Sequence, residues 1–520
     1  MIDTKALREK VLDLAIRGKL VPQDPTDEPA SVLLERIREQ KKQMVKEGKL
    51  KAKDIKDDSV IFVGADNLHY EKFADGTVKC IENEIPFELP DGWAWSRFSS
   101  AFIINPRNNL PDDTEVSFVP MSLIQEGYAN NHACEIKTWE KVKSGFTHFA
   151  ENDIGVAKIT PCFENKKSVV FNDLRNGFGA GTTELHIIRT VGNAIYPEYV
   201  LWNIKTDAFV SNGVNAFSGA VGQKRIGKDF IEKSLMPIAP TSEQKRIVES
   251  ISMAFECIDK IDASIETFNL DINAVKRNIL DLAVRGKLVP QDPADEPASV
   301  LLERIIAEKE ELIKQGKIKR DKKESIIFKG EDNSYYEKIG DSITDITDET
   351  PFELPNYCVF VRFKDILNLL SGRDLAPRDY NDQGHGVPYI TGASNFFSGS
   401  VVISRWTDTP QVITQLGDLL ITCKGTVGEI AFNAIGDAHI ARQIMAIRNV
   451  YNLNMEYLSL CISFYIEALK TSAKGLIPGI SRDDILNLIL PLPSEKYQSR
   501  VVIRVNELLE IIDSIEKSLN

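Results

Sequence analysis

The side chains best suited to chemistry lie in short polar loops, outside any complete catalytic motif. Asp153 followed by Glu164-Asn165-Lys166 comes nearest to a metal-dependent nuclease, since two carboxylates and an ammonium can hold a cation beside a phosphate. It occurs once, and no counterpart is expected in the second half of the chain. Asn105-Pro106-Arg107 breaks the Asn/Asp-Pro-Pro-aromatic pattern of an amino-methylating loop, and Gly177-Phe178-Gly179-Ala180-Gly181 is an unframed glycine cluster in a turn. No G-x-x-x-x-G-K-[S/T] loop is present, so ATP hydrolysis is not encoded. The six histidines lack ligand spacing, so no metal site is expected. The seven cysteines never form a C-x-x-C pair, which fits reduced thiols in a cytoplasmic protein.

What remains are donors and planar forks. Lys, Arg, Ser and Thr suit phosphate oxygens, and Arg, Lys, Asn and Gln suit base edges. In the first half these gather at Lys158, Thr160, Asn165, Lys166, Lys167, Thr182, Thr183, Gln223, Lys224 and Arg225. In the second half they gather at Arg373, Arg378, Ser394, Asn395, Lys424, Thr426, Arg442, Gln443, Ser481 and Arg482. The formal charge of −13 opposes a polyanionic partner at first sight, but residues 92–240 are net 0 and residues 356–493 net −1. The acidity therefore sits outside the two stretches that carry the candidate contacts. No apolar run is long enough to span a membrane, and the charged N-terminus does not read as a signal peptide.

The elements that position these loops are laid out twice. Residues 12–37, LDLAIRGKLVPQDPTDEPASVLLERI, recur at 280–305 with only Ile16/Val284 and Thr26/Ala294 different, an internal duplication with a 268-residue offset. Apolar spacing predicts helices over 3–17 and 30–48, and an extended linker over 51–91. A strand-rich α+β globule is expected over 92–240, with one helix, YPEYVLWNIKTDAFVSN, inserted. A helical region follows over 241–320, then a second linker (321–355), a second strand-rich globule (356–495) and a closing helix (496–520).

In the long central helix, Ile247, Ile251, Phe255, Ile258, Ile261, Ile265, Phe268, Ile272, Val275, Ile279 and Leu282 are spaced by fours and threes that alternate almost throughout, the seam of a coiled coil. The closing helix repeats the seam at Val501, Val505, Leu508, Ile512, Ile515 and Leu519. SEQKRIVESISMAFECIDKID (242–262) matches the C-terminal YQSRVVIRVNELLEIIDSIE in pattern, and VKRNILDLAVRGKL (275–288) matches LREKVLDLAIRGKL (7–20). The second long helix is thus split between the two termini, a circular pseudo-twofold plan that predicts two antiparallel coiled-coil rods. Arg17-Gly18-Lys19 and its repeat Arg285-Gly286-Lys287 suit either a helix C-cap or a docking contact. Two homologous globules on such a plan suit a ligand with its own repeated half-sites, of which duplex DNA is the obvious one.

On these residues the chain resembles the specificity subunits of type I restriction–modification systems. The resemblance is carried by GQKRIGKDFIEKSLMPIAPTSEQKRIVESI (222–251), GISRDDILNLILPLPSEKYQSRVVIRV (479–505), ENDIGVAKITPCFENKK (151–167), GDLLITCKGTVGEIAF and the order globule, helix, globule, helix. It implies two target-recognition domains that read an asymmetric bipartite site in double-stranded DNA, separated by helices that set the spacer. It further implies two methyltransferase subunits docked on those helices, restriction subunits joining them, and no chemistry in this chain. S-adenosylmethionine, ATP and Mg would then belong to the partner subunits. The pattern departs at the second helix start, where Tyr497-Gln498 stands for Glu243-Gln244. The competing expectations are a metal-dependent nuclease with duplicated recognition domains and a coiled-coil interaction adaptor.

Overall fold

The protein was analysed as a computed structural model that describes residues 2–192, 194–219, 224–318, 320, 324–397, 399–472 and 479–518. The chain divides into two units, Met1–Glu266 and Thr267–Asn520, and the boundary falls inside one 44-residue helix, Thr241–Val284.

Each unit contains the same two four-stranded sheets. In the first unit one sheet runs in the order Ser168–Val170, Ile154–Ala157, Leu185–Arg189, Ile103–Ile104. The other runs Glu135–Thr138, Glu115–Val119, Phe178–Gly181, Thr147–Ala150, and its two central strands are parallel. The second unit repeats both orders: Ile430–Phe432, Leu419–Thr422, Ile444–Arg448, Asn368–Ser371, and Trp406–Thr407, Val387–Ile390, Ala438–Ile440, Ile413–Thr414. Its parallel pair, Val387–Ile390 with Ala438–Ile440, occupies the same place. Near-continuous apolar strands such as Ile154–Ala157 and Leu419–Thr422 are buried along their whole length, as expected where both faces of a sheet are covered.

The stretches expected to be extended linkers are folded. Ser59–Val63, His69–Phe73 and Val78–Cys80 form an antiparallel meander, and Ser325–Lys329, Tyr335–Ile339 and Ser342–Asp345 form its copy. Ion pairs on a largely buried arginine seat them. Arg97 bonds Glu71 at 2.8 Å and Glu84 at 2.7 Å, and Arg362 bonds Glu337 at 2.8 Å and Glu349 at 2.7 Å. Lys41, 1% exposed on helix Ala30–Lys46, donates to Asp58 and to the Ser99 carbonyl at 2.7 Å. Its repeat Lys309 on helix Ala298–Lys314 meets Glu324 at 2.8 Å. A buried ammonium costs several kcal/mol unless so partnered, so these carboxylates are required by the fold.

The helix expected over 196–212 is two, Pro197–Ile204 and Asp207–Asn215, because the Thr206 hydroxyl caps a fresh start by accepting from Phe209 N. Its counterpart Met455–Ser472 runs unbroken. Along Thr241–Val284 the seam is buried at Ile247, Ile251, Phe255 and Ile258 in the first unit, and at Ile272 and Ile279 in the second. Ile261, Ile265 and Phe268 are half-buried, while Val275 and Leu282 are 45% and 40% exposed. Each half of this helix packs on its own globule and on one terminal helix. In the first unit Thr4 and Arg8 of helix Thr4–Ile16 reach Asp262, and Arg8 also reaches Asp259, the order of antiparallel neighbours. In the second, Lys276 meets Asp513 at 3.3 Å and Glu516 at 3.0 Å on helix Glu495–Ser518; Leu519 lies outside the described residues. Lys276 is the 268-residue repeat of Arg8, so each unit assembles equivalent parts in a permuted chain order.

The near-identical segments form the same corner twice. Gly18 and Gly286 stand at φ of +64° and +69° and end their helices, with Lys19 N bonded to Leu14 O and Lys287 N to Leu282 O, both at 2.8 Å. Arg17 and Arg285 pair with Asp13 and Asp281 and lie over the rings of Phe87 and Phe352. The corners differ where the sequences depart. Glu243 accepts from Trp93 Nε1 at 3.0 Å and Gln23 Nε2 at 3.1 Å. In the second corner Tyr497 donates to Val289 O at 2.9 Å and Tyr357 to Gly286 O.

Candidate nucleic-acid interface

In the second unit, loops from five separate parts of the chain meet where strand Leu419–Thr422 ends and its antiparallel neighbour Ile444–Arg448 begins. Cys423 N donates to Gln443 O at 2.8 Å, Ile480 N to Cys423 O at 3.0 Å, and Arg373 N to Ile440 O at 2.9 Å. Arg482 reaches Leu369 O at 2.6 Å and Ser371 Oγ at 3.2 Å, and Gln443 approaches Gly392 closely enough that a Cβ there would meet its Oε1 at 2.5 Å. These main-chain and side-chain contacts draw Arg373, Ser394, Lys424, Thr426, Arg442, Gln443, Ser481 and Arg482 to one end of the sheets. Arg378 stands on a neighbouring turn with its side chain 89% exposed.

The first unit makes the same main-chain register. Lys158 N donates to Glu184 O and Ile226 N to Lys158 O, both at 3.0 Å, and Thr160 N donates to Lys224 O at 3.0 Å. Lys158 therefore stands where the second unit has Cys423, Glu184 where it has Gln443, and Ile226 where it has Ile480. The backbone frame is shared and the side chains on it are not.

Among the described residues, Lys158, Lys224, Arg373 and Lys424 have no ion-pair partner, and the last three are exposed. Thr183 and Thr426 are exposed as well, whereas Thr182 accepts from Glu184 N. Arg225 pairs with Glu184 at 2.9 Å, Arg442 with Asp374 at 2.7 Å, and Lys167 points to the Met121 carbonyl. Thr160 bonds Glu164, and Asn165 bonds Glu126 at 3.2 Å. Gln223 lies outside the described residues.

Three of the anticipated contacts are instead taken up by the fold. Lys166 is buried, its ammonium held by Glu9, Asp207 and the Tyr128 hydroxyl. Asn395 is 3% exposed; its carbonyl accepts from Thr391 N at 2.8 Å and its amide donates to Val402 O at 2.8 Å. Ser481 caps the helix Arg482–Leu486 by accepting from Asp484 N. In the first two cases a buried polar side chain finds the partners that burial demands, while Ser481 caps its helix at the exposed surface.

Asp153 is likewise structural. It is 1% exposed, gripped by Arg189 at 2.7 and 2.8 Å, and accepts from Ala150 N at 2.7 Å. Burial raises its carboxyl and Arg189 opposes the shift. Asp418 stands in the same place in the second unit: it is 3% exposed, held by Arg448 at 2.8 Å, and accepts from Gln415 N at 2.8 Å, while Glu429-Ile430-Ala431 there lacks the lysine of Glu164-Asn165-Lys166. No cluster of three metal-ligating side chains occurs among the described residues.

The comparisons with known proteins agree with this architecture. Residues 355–520 match the family described as the type I restriction modification DNA specificity domain. The chain is 33% identical to the type I restriction enzyme EcoEI specificity subunit of Escherichia coli over 99% of its own length and 90% of the relative's. It is 32% identical to the EcoAI specificity subunit of the same organism over 98% and 90%. A chain from a solved structure of type I R-M complex assembly superposes with a TM-score of 0.55 at 19% identity, covering 83% of this chain and 94% of that one, which shows the shared fold. The chain belongs to the type I restriction enzyme specificity subunits.

Proposed function

We propose that this chain directs a type I restriction–modification complex to an asymmetric bipartite site in double-stranded DNA, the strand-end loops of each unit reading one half. The observation that carries this is the shared backbone register at those loops, Lys158/Glu184/Ile226 against Cys423/Gln443/Ile480, dressed with different side chains. One frame presented twice with divergent donors is what two unequal half-sites demand. Lys158, Lys224, Arg373, Arg378 and Lys424 supply phosphate contacts, and Asn165, Arg442, Gln443 and Arg482 are the forks for base edges.

The helix Thr241–Val284 sets the unread spacer. The near-identical corners, their exposed Lys19 and Lys287 included, dock two copies of a methyltransferase subunit, and restriction subunits join that core. In this reading the chain is not itself catalytic; S-adenosylmethionine, ATP and Mg act on the partners. The buried, arginine-paired Asp153 and Asp418 argue against the nuclease alternative, and no observation favours an adaptor.

The test is selection from a random duplex pool by the full chain assembled with its methyltransferase subunits. Recovered sequences should share two short, unequal blocks at a fixed gap. DNA cleavage by the chain with Mg alone would overturn the proposal.

A further inference from the structure

The strongest unexplained group in the molecule is Lys205. It is fully buried, at 0% exposure, and its ammonium donates to two main-chain carbonyls, Gly127 O at 2.6 Å and Lys166 O at 2.8 Å. Each carbonyl belongs to a different loop. One loop holds Glu126 and Tyr128; the other holds Thr160, Asn165 and Lys167. The loops also touch directly, through Gly127 N to Asn165 O at 2.8 Å and Asn165 Nδ2 to Glu126 Oε2 at 3.2 Å.

A second tie anchors the same loops to the helical scaffold. Glu9 of helix Thr4–Ile16 accepts from the Tyr128 hydroxyl and the Lys166 ammonium, and its other oxygen accepts from Asp207 N at 2.9 Å. Tyr128 packs on Phe255 of the long helix with ring centroids 5.8 Å apart, and Arg8 lies over both rings. The groups facing Lys205 are therefore two carbonyls and, beyond them, the Lys166–Glu9–Asp207–Tyr128 cluster. Burial, with the Lys166 charge, brings the Lys205 ammonium down to about 7, so the fold retains it at an energetic cost. Among the described residues the second unit shows no such device. The helix aligned with Pro197–Ile204 carries Ser463 in place of Lys205, and Arg277 is the 268-residue repeat of Glu9.

We infer that Lys205 is a positioning residue for the first recognition module, clamping the loop around Gly127 to the loop 160–167 so that selectivity at the first half-site, and only there, depends on it. This rests on the functional reading above. A clamp on main-chain carbonyls fixes where Asn165 and Lys167 sit without touching DNA, and small displacements of such side chains cost discrimination first.

The experiment compares the motif methylated in cells by the full chain and its methyltransferase subunits, for wild type, Lys205→Met and Tyr128→Phe. The first half-site is the one retained when residues 356–493 are exchanged. Lys205→Met should relax base preference there by about tenfold, the scale of one lost base discrimination, and leave the second half-site and gap unchanged. Tyr128→Phe removes one hydroxyl and should give a smaller loss at the same half-site, which keeps the test open if Lys205→Met does not fold. Equal relaxation of both half-sites, or full retention of the first in an assembled complex, overturns the clamp. A wild-type chain without any two-part motif would overturn the functional reading itself, and the clamp with it.

Discussion

At the scale of single residues, the polar side chains of the recognition loops divide into those the fold consumes and those it leaves free. Lys424 and Asn395 look alike in the sequence, both polar and loop-borne, yet one is exposed and unpaired while the other is buried and fully bonded. Lys424→Ala should weaken DNA binding uniformly across sequences and lower the slope of log affinity against log salt by about 0.9, one phosphate's worth of counterion release. Binding titrations at several salt concentrations measure this. Asp418→Asn belongs to the other class: it leaves Arg448 without its charge partner at a buried site. It should cost about 3 kcal/mol of stability, read by denaturant unfolding, and leave the salt slope of the surviving folded protein unchanged. The same partition explains which exposures are legible in the sequence. The exposure of cations such as Arg373 and Lys224 is legible from residue type and loop position. The fates of Lys166, Asn395 and Lys205 are not, because burial of a polar group is decided by partners distant in sequence: Glu9 for Lys166, Val402 O for Asn395, Gly127 O for Lys205.

At the scale of elements, long periodic stretches were legible and short ones were not. The helices Ala30–Lys46 and Thr241–Val284 follow from apolar spacing and glycine stops, and Leu419–Thr422 with Ile430–Phe432 from the two apolar runs flanking the glycine-bearing turn in GDLLITCKGTVGEIAF. The meanders were missed as linkers because strands of three to five residues carry little periodic signal, and their inward anchors, Glu71 and Glu337, are charged. Their outward pairs, Phe62 on Tyr70 and Phe328 on Tyr336, recur in both copies and stabilise the hairpins across strands. The long helix carries its own prediction. Inserting four residues after Glu266, where the two units divide, adds about 6 Å of helix, or roughly two base pairs of duplex at about 3.4 Å per step. The methylated motif should keep both blocks and widen its gap. Unchanged spacing in an active complex would remove this helix as the ruler.

At the scale of the whole molecule, the duplication is the organising fact. Twenty-four of 26 positions are retained between 12–37 and 280–305, while the globules share topology with few residues. Retention at the corners has a structural share, visible in Gly18 and Gly286, in Arg17 and Arg285, and in Arg246–Asp27 repeated as Arg500–Asp295. Lys19 and Lys287 are exposed and identical, and under the proposed function they meet a common partner. The permuted order of parts was legible because the split helix leaves matching halves at the two termini, and the pairs Arg8–Asp259 and Lys276–Asp513 carry it into side-chain contacts. The central claim is that one scaffold carries two independent readers. The most direct measurement is the methylated motif of cells expressing this chain with its methyltransferase subunits, before and after residues 356–493 are replaced by the corresponding segment of a relative. The account predicts that one block of the motif changes while the other block and the gap stay the same. Change in both blocks from that single exchange would contradict it.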